Sequence, residues 1–419
     1  IIILLNIQKK IKRLLLPCYS RSNFHVLGIE SSCDDTGASV VNDSGKVLGE
    51  SHCSQSVIHV EAGGILPHVA SALHKNNLKH VVNSAVLQSK LKFENLDAIA
   101  VTVKPGLILS LTEGVNYAKN LCTLYNKPLI PIHHMEAHAL TVRIIDEVKF
   151  PFLVFLLSGG HCILALANSV RKFYKLGDSN DNSPGQVFDK IARRAKINNL
   201  NELKGLVGGA AIEKAAKTGN PTAIPFSQTT LKSQKNCNFS FSGYITSAYN
   251  YIQSREINLN LSPDAVIPDI NDFCASFQWS LTTHLCQRLE MAIKYVEERK
   301  LLNEDEKRLV VSGGVASNSL IKNALKFVCD HYNYKIFIPP PSLCTDNGVM
   351  IAWNGVELLK ENFKMIYPHE LQSIEPQAKS PFGEDISDDV ANVMKNFTFS
   401  KSSKVKLQKF IENAPNSNL

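Results

Sequence analysis

Short apolar runs alternate along this chain with longer segments whose hydrophobic residues recur with a helical period. The apolar runs predict buried strands at residues 26–30, 38–41, 96–103, 128–132, 152–157, 162–167, 309–312 and 335–339. Helical periodicity predicts helices between them, among others over 69–92, 270–298 and the stretch that ends at 359. Strands that alternate with helices in this way indicate the α/β class, in which helices cover the faces of a sheet.

One pattern, a strand followed by a polar turn and a returning strand, occurs twice. It spans residues 26–41 and again residues 152–167, so each of two predicted lobes begins with a hairpin whose turn suits a polar ligand. A chain of 419 residues is long enough for two or three compact units. We expect an N-terminal lobe at 24–150, a C-terminal lobe at 151–368 with a loop-rich insertion at 196–243, and a polar tail at 369–419.

The N-terminal segment differs in composition from the rest of the chain. Its first 29 residues hold five basic residues and no acidic one, and they are rich in Leu and Ile. This composition is typical of an amphipathic mitochondrial transit peptide, which we place at 1–23; a disordered start is the alternative. The net charge is +7 for the whole chain and only +2 beyond this segment. With 44% hydrophobic and 20% charged residues, the composition excludes disordered and collagen-like proteins.

The lengths of the apolar runs and the spacing of the cysteines exclude further classes of protein. The longest apolar run, 150–157, is far shorter than the roughly 20 residues that cross a bilayer, so no membrane insertion is expected. None of the ten cysteines forms a C-x-x-C pair, which excludes a zinc ribbon and a thioredoxin-like redox pair.

Two histidines in the segment after the 128–132 strand are candidate metal ligands. His134 and His138 are four residues apart, so on a helix they would lie about 40° apart on one face. Glu136 would point to the other side, which disagrees with the H-E-x-x-H arrangement of zinc proteases. Asp346, at a predicted helix start, could supply a third ligand or could cap the helix. Two histidines and one aspartate suit iron or zinc; a pair of surface histidines is the alternative.

Glycine turns follow two predicted strands directly. Ser158-Gly159-Gly160 and Ser312-Gly313-Gly314 leave backbone N–H groups open to a phosphate, although an ordinary tight turn is the alternative. Together with Gly208-Gly209 they favour a nucleotide cleft between the lobes. Asp189 could hold a ribose or an amino group there, or lie at a helix start as an ordinary carboxylate. Asn318 could cap the following helix or bind a ligand.

Charged residues supply two more candidate contacts. Asp34 and Asp35 in the first hairpin turn could orient a nucleophile or a metal-bound water, or be solvated turn residues. Lys190, Arg193 and Arg194, with the lysine-rich segment 395–409, are candidate contacts for nucleic acid.

Eight segments between residues 26 and 359 resemble, in order, the motifs of the tRNA N6-adenosine threonylcarbamoyltransferases, formerly labelled O-sialoglycoprotein endopeptidases. They are GIESSCDDTG, PGLILSL, PIHHMEAHAL, LLSGGH, GQVFDK, FSFSG, SGGVASN and CTDNG. The form of HHMEAHAL and of PPPSLCTDNGVMIAWNG, with the transit-like start, resembles the mitochondrial branch. The resemblance implies a two-lobed fold of the actin, sugar-kinase and heat-shock ATPase class with duplicated mixed sheets.

The resemblance also implies an activity. The threonylcarbamoyl group of threonylcarbamoyl-AMP would pass to N6 of the adenosine 3′-adjacent to the anticodon, in mitochondrial tRNAs that read codons beginning with A. His134, His138 and Asp346 match the ligands of one divalent ion per subunit, iron or zinc, and Asp34 and Asp35 match an essential acidic turn. The positions that match adenylate contacts are Leu156, Leu157, Ser158, Gly159, Gly160, Asp189, Gly209 and Asn318.

The partners implied by this family are tRNA, a second copy of the chain in a homodimer, and a separate synthase that makes the adenylate. Two other functions share parts of the pattern. A glycoprotease-type metalloprotease would share the histidine pair, and an ATPase or nucleotide-binding scaffold of the same fold class would share the lobes.

Overall fold

The first of two mixed β-sheets is formed by the N-terminal part of the chain. The computed structural model describes residues 23–62, 64–226 and 235–395, together with Leu407 and Phe410. The strands of the first sheet are β1 (His25–Glu30), β2 (Asp35–Asn42), β3 (Val47–Ser54), β4 (Ala98–Lys104) and β5 (Leu129–His133), in the order β3-β2-β1-β4-β5. β1 is antiparallel to β2 and β2 to β3, whereas β4 is parallel to β1 and to β5.

The second sheet repeats this arrangement. Its strands are β6 (Phe152–Leu157), β7 (Cys162–Ser169), β8 (Lys172–Asp178), β9 (Arg308–Ser312), β10 (Lys335–Phe337) and β11 (Glu384–Asp385), in the order β10-β9-β6-β7-β8-β11. β6, β7 and β8 form an antiparallel series, and β9 is parallel to β6 and to β10. Among the strands of the described residues, only β11 has no counterpart in the first sheet. The duplicated mixed sheets confirm the predicted two-lobed α/β class.

Twelve α-helices occur within the described residues. They are α1 (Ser56–Glu61), α2 (Pro67–Gln88), α3 (Ile108–Tyr125), α4 (His134–Leu140), α5 (Pro184–Arg194), α6 (Gly208–Ala216), α7 (Ser242–Asn258), α8 (Ile270–Glu298), α9 (Ser319–His331), α10 (Pro341–Cys344), α11 (Gly348–Lys360) and α12 (Ser387–Lys395). In the part of the chain so described, none of these is both long and apolar enough to span a membrane.

Three hydrophobic cores arrange these elements in layers. Alternate residues of each strand point to opposite faces, so Leu27 of β1 faces α2 and α3, whereas Val26 faces the opposite side. On the second sheet, Phe155 of β6 faces the core with α5 to α9, and Val154 faces away from it. Val26 and Val154 belong to one central core, which α4 and α11 fill from within. The helix with the histidine pair therefore lies between the two sheets.

Helix α11 lies unusually close to the first sheet. A Cβ atom at Gly28 of β1 would be 2.2 Å from the Ala352 backbone nitrogen, and one at Gly348 would be 2.3 Å from the carbonyl carbon of Ala38. A real Cβ atom could not lie so close to a backbone atom, so both positions require glycine. The close approach fixes the start of α11 against β1 and β2. Asp346 precedes this start by two residues and is held in place with it.

The segment after α11, residues 366–386, connects the two sheets and is called the strap below. The Ile366 nitrogen donates a hydrogen bond to the Leu129 carbonyl (3.0 Å), and the Gln377 nitrogen donates to the Val103 carbonyl (2.8 Å), both in the first sheet. Phe382 then packs on Phe173, with ring centroids 4.9 Å apart, before β11 pairs with β8 of the second sheet.

The first part of the predicted polar tail, residues 369–395, is anchored to the rest of the molecule. Leu371, Phe382 and Val390 are buried in the three cores, so widely spaced apolar residues anchor a mostly polar segment. Residues 1–22 of the predicted transit peptide, and most of the lysine-rich segment 395–409, lie outside the described residues.

Candidate metal centre and adjoining cleft

The three candidate ligands converge at the centre of the molecule. Asp346 Oδ1 lies 3.0 Å from His138 Nε2 and 3.4 Å from His134 Nε2. The two imidazoles are perpendicular, with centroids 4.7 Å apart, and one potential ligand atom from each of the three residues lies within 4.8 Å of the others. Two imidazole nitrogens and one carboxylate oxygen are a donor set that suits zinc or iron.

Local capping explains why these side chains are available. His133 is the N-cap of α4, because its Nδ1 accepts a hydrogen bond from the Met135 nitrogen (3.2 Å). Asn347 caps α11, because its Oδ1 accepts from the Met350 nitrogen (2.9 Å). The capping alternative for Asp346 is therefore wrong, and its carboxylate faces the histidines instead.

Glu136 does not belong to this cluster. Burial raises the pKa of Glu136 to about 7, and the charged groups that act on its carboxylate are Lys104 and Arg171. The structure therefore gives no support to a zinc-protease arrangement, which needs a glutamate beside the metal-bound histidines.

A buried carboxylate that sequence reasoning missed lies behind His134. Glu30 Oε2 is 3.2 Å from His134 Nδ1, and the Ser32 hydroxyl oxygen lies at the same distance from that nitrogen. Glu30 also accepts hydrogen bonds from the Ser32 nitrogen and the Thr102 hydroxyl, both at 2.5 Å. A glutamate at the end of a buried strand was the available signal, because a charge there needs partners.

The charges in this cluster reinforce one another. Burial alone would lower the pKa of His134, but the Asp346 and Glu30 carboxylates outweigh it and raise that pKa to about 10. Burial would likewise raise the pKa of Asp346, but His134 and His138 hold it well below its usual range. His134 is thus an imidazolium between two carboxylates, and a proton must leave its Nε2 before that atom can bind a metal ion.

The acidic turn lies close to this cluster. Asp35 Oδ1 is 3.3 Å from His52 Nε2, and this contact raises the pKa of His52. Partial burial and the neighbouring Asp35 carboxylate raise the pKa of Asp34, and Asp346 is near enough to add to that rise. The charge of Asp34 also acts on Asp189 of α5, which comes from the second sheet's side of the cleft.

The first glycine turn has an open side and a buried side. Ser158 Oγ accepts hydrogen bonds from the Gly160 nitrogen (3.2 Å) and the His161 nitrogen (3.0 Å), which closes the turn. A Cβ added at Gly159 or Gly160 would meet no atom within 4 Å, so this side is open to a ligand.

The structure limits two of the predicted adenylate contacts. The side chains of Leu156 and Leu157 are fully buried in the central core and the α5–α9 core, respectively. Neither side chain can touch a ligand, because alternate residues of β6 point into the two cores. Any contact from these positions is limited to their backbone atoms.

The second glycine turn packs directly on the first. Gly313 has φ +102°, and a Cβ there would be 2.4 Å from the Leu157 carbonyl oxygen. Asn318 caps α9, since its Oδ1 accepts from the Ile321 nitrogen (3.1 Å), and its Nδ2 donates to Gln278 Oε1 (3.2 Å). The capping role that the sequence left open for Asn318 is thus confirmed.

Asp189 and the Gly208-Gly209 pair meet at the start of α6. The Gly208 nitrogen donates to the Asp189 carboxylate, and a Cβ at Gly208 would be 2.5 Å from Asp189 Oδ1. A Cβ atom added at Gly209 would be 3.9 Å from the Phe188 ring, which is an ordinary van der Waals contact. Asp189 therefore has a structural partner on α6, and burial of its carboxyl group raises the pKa of Asp189 although the residue as a whole is exposed.

His161 is a second site residue that sequence reasoning missed. It ends the Ser158-Gly159-Gly160 turn, and burial together with His134 and His138 lowers its pKa to about 4. His161 lies between β6 and β7 of the second sheet, and the charges of His134 and His138 are near enough to act on it. The cleft has candidate metal ligands on one wall and glycine turns on the other.

Comparisons with known proteins match most of this chain. A family model described as tRNA N6-adenosine threonylcarbamoyltransferase (TsaD) matches residues 46–353. The mitochondrial tRNA N6-adenosine threonylcarbamoyltransferase of Xenopus tropicalis is 45% identical over 364 residues, which cover 87% of this chain and 89% of the relative. The human mitochondrial enzyme is 42% identical over 391 residues, which cover 91% and 94%.

Similarity to solved structures concerns the fold alone. HypF of T. kodakarensis superimposes with a TM-score of 0.52 at 15% identity, over 82% of this chain and 49% of HypF.

Proposed function

Because the chain belongs to the tRNA N6-adenosine threonylcarbamoyltransferase family, we propose that His134, His138 and Asp346 bind the divalent ion of such an enzyme. The protein is a mitochondrial transferase that forms threonylcarbamoyladenosine in tRNA. One observation supports the proposed site above all: the three ligands converge beside two adjoining glycine turns. The finer parts of the proposal are the donor, threonylcarbamoyl-AMP, and the residues that handle each half of it.

The residues present fit a metal ion. Three donor atoms lie within 4.8 Å of one another, and the proposed ligands are two imidazoles and a carboxylate, as in catalytic zinc sites with an open position. An ion bound there would act as a Lewis acid on an oxygen of the donor's mixed anhydride. This donor set suits iron or zinc, and we propose that the ion is one of these two.

The chain's own groups would orient the two substrates. In the reaction, the adenosine N6 forms a bond to the carbamoyl carbon, the bond from that carbon to the phosphate oxygen breaks, and AMP leaves with the amine's proton lost to a base. The Gly159 N–H and N–H groups of the 312–314 turn would hold the phosphate of AMP, because the Ser158 and Gly160 nitrogens already donate hydrogen bonds within their own turn. Asp34 or Asp35 is our candidate acceptor for the proton, because the acidic turn faces the same cleft.

A reconstituted reaction tests this function. Purified protein is incubated with threonylcarbamoyl-AMP and an anticodon stem-loop RNA, and the digested nucleosides are measured by mass spectrometry. We expect threonylcarbamoyladenosine and AMP in equal amounts, and no modified nucleoside from a stem-loop with guanosine at the target position. Release of AMP without modified adenosine, with donor shown to be intact at the start, would contradict the proposal.

Two partners remain part of the proposal. The mixed anhydride must come from a separate enzyme that activates a carbamate with ATP, and the homodimer implied by the family motifs stays a prediction.

We also propose where tRNA is bound. Among the basic residues singled out on α5, Arg194 is engaged by both oxygens of Glu256, at 2.8 and 2.6 Å, so its charge is largely neutralised. Lys190 and Arg193 are on the exposed side of this helix, and Arg193 is close enough to act on the Asp189 charge at the cleft. These two cations are suited to the phosphate backbone of RNA.

Replacing both residues, Lys190→Glu with Arg193→Glu, is expected to weaken tRNA binding by about tenfold at physiological salt. The slope of log affinity against log salt should fall by about one for each lost phosphate contact. Fluorescence anisotropy with labelled tRNA at several salt concentrations measures both quantities. The matched control of equal charge change is a second double variant at exposed lysines, Lys326→Glu on α9 with Lys92→Glu before β4. An affinity of the α5 variant equal to that of this control would remove α5 from the binding surface.

A further inference from the structure

The buried carboxylate of Glu30 has a role beyond charge balance. We propose that Glu30 is a positioning residue that fixes the tautomer and orientation of His134, so that Nε2 is the atom presented to the metal ion. The inference rests on the proposed metal function of His134, His138 and Asp346.

The contacts of Glu30 leave it only one way to act on the imidazole. Its side chain is fully buried at the end of β1. The Ser32 nitrogen donates to Oε1, and the Thr102 hydroxyl donates to Oε2. A carboxylate that receives hydrogen bonds at both oxygens acts as an acceptor towards the remaining neighbour, His134 Nδ1 at 3.2 Å. His134 must therefore carry a proton on Nδ1.

This proton determines what the other nitrogen can do. A metal-bound imidazole is neutral, so a proton fixed on Nδ1 leaves the lone pair on Nε2. Nε2 is the atom that lies 3.4 Å from Asp346 Oδ1, on the side of His138. The carboxylate on one side of the ring thus selects the ligand atom on the other.

Ser32 cannot make this selection by itself. Its hydroxyl is also 3.2 Å from His134 Nδ1, but a hydroxyl both donates and accepts. It would satisfy Nδ1 in either tautomer. Of the two neighbours of Nδ1, only Glu30 distinguishes them.

The surrounding strands make the position of Glu30 precise. Glu30 is on β1 and Thr102 is on the adjacent β4, so the carboxylate is bonded to two strands of the same sheet. His134 begins α4 directly after β5, the next strand beyond β4. The imidazole is therefore aligned with the sheet and not only with its own short helix.

The substitution Glu30→Gln tests the proposal, because it keeps the shape and replaces one acceptor by a donor. If the glutamine oxygen accepts from Ser32, its NH₂ group faces His134 Nδ1 and favours the tautomer with a proton on Nε2. We expect the zinc affinity of the full chain to fall about 10- to 100-fold. Competition with a chromophoric chelator measures the affinity, and the visible spectrum of the cobalt-substituted protein reports the ligand geometry.

A second buried glutamate provides the matched control. Glu357 on α11 is 4% exposed and bonds to Arg143 (2.7 Å), away from the three ligands. Glu357→Gln should keep the zinc affinity and the cobalt spectrum of the unchanged protein. Thr102→Val removes one donor to Glu30 without a change of charge and should lower the zinc affinity by a few-fold. This variant replaces Glu30→Gln as the test if Glu30→Gln does not fold.

The outcomes separate the two proposals. Unchanged zinc affinity and cobalt spectrum in folded Glu30→Gln, or unchanged affinity in Thr102→Val if only that variant folds, would overturn the role of Glu30 and leave the metal centre standing. If the unchanged protein binds neither zinc nor iron, or if His138→Ala binds the ion equally well, the metal centre itself is wrong.

Discussion

His138→Ala is expected to lose the bound metal ion and to lower the rate of threonylcarbamoyladenosine formation by on the order of 10²–10³-fold or more. His138 is 1% exposed, and its Nε2 is the nitrogen nearest to Asp346, at 3.0 Å. Its removal leaves one imidazole and one carboxylate, fewer than the three protein ligands that catalytic sites with an open position use. Metal content by mass spectrometry and single-turnover nucleoside analysis measure the two losses.

The matched control is His331→Ala, which removes an exposed histidine from the end of α9. This variant should keep both the metal and the activity. His138→Ala that retains stoichiometric metal and full turnover would show that the cluster is not the metal centre. Loss of metal with retained turnover would separate metal binding from catalysis.

The zinc affinity of the protein is expected to rise about tenfold for each pH unit between about pH 7 and 9. The reason is the proton on His134, whose pKa is raised to about 10 by Asp346 and Glu30 against the effect of burial. Below that pKa, Nε2 must release a proton when a metal ion binds, so a lower proton concentration favours binding. The dependence should level off as the pH approaches 10.

The raised pKa of His134 also makes the stability of the folded protein depend on pH. Because the folded pKa of His134 is above its usual value, the ion pairs of this histidine stabilise the protein fully at a pH below about 6.5, its ordinary pKa, and are lost as the pH rises through about 10.

The pH dependence of zinc binding is measured by chelator competition from pH 6.5 to 9. Calorimetry in buffers of different ionisation enthalpy measures the proton that is released on binding. Glu357→Gln should show the same slope, and an affinity that is flat over this range would refute the assignment of the proton to His134.

Much of the fold was predictable where periodicity is strong. The helix over residues 270–298 was predicted with the bounds of α8, because its apolar residues recur regularly over 29 residues. β3 was not predicted, because all of its positions except Gly49 are exposed or half-buried and it includes Gly, Ser and His. The strap was missed for a similar reason: its buried residues are too far apart in sequence to form a period.

The site was predictable only where its residues are close in sequence or follow a strand. The four-residue spacing identified His134 and His138, and a position at a helix start identified Asp346. Glu30 could not be found this way, because its contact with His134 spans 104 residues and depends on the pairing of β1 with β4. The same limit hid His161, which comes from the second sheet and is near enough for the charges of His134 and His138 to act on it.

The central core, filled by α4 and α11, gives neither lobe a complete hydrophobic interior of its own. Pulling the lobes apart would expose Val26 on one side and Val154 on the other, both of them fully buried. We therefore expect heat to melt the chain in a single cooperative transition and not lobe by lobe. An ion held between these two helices would then slow the turnover of the entire chain in mitochondria, because proteases cleave the unfolded chain.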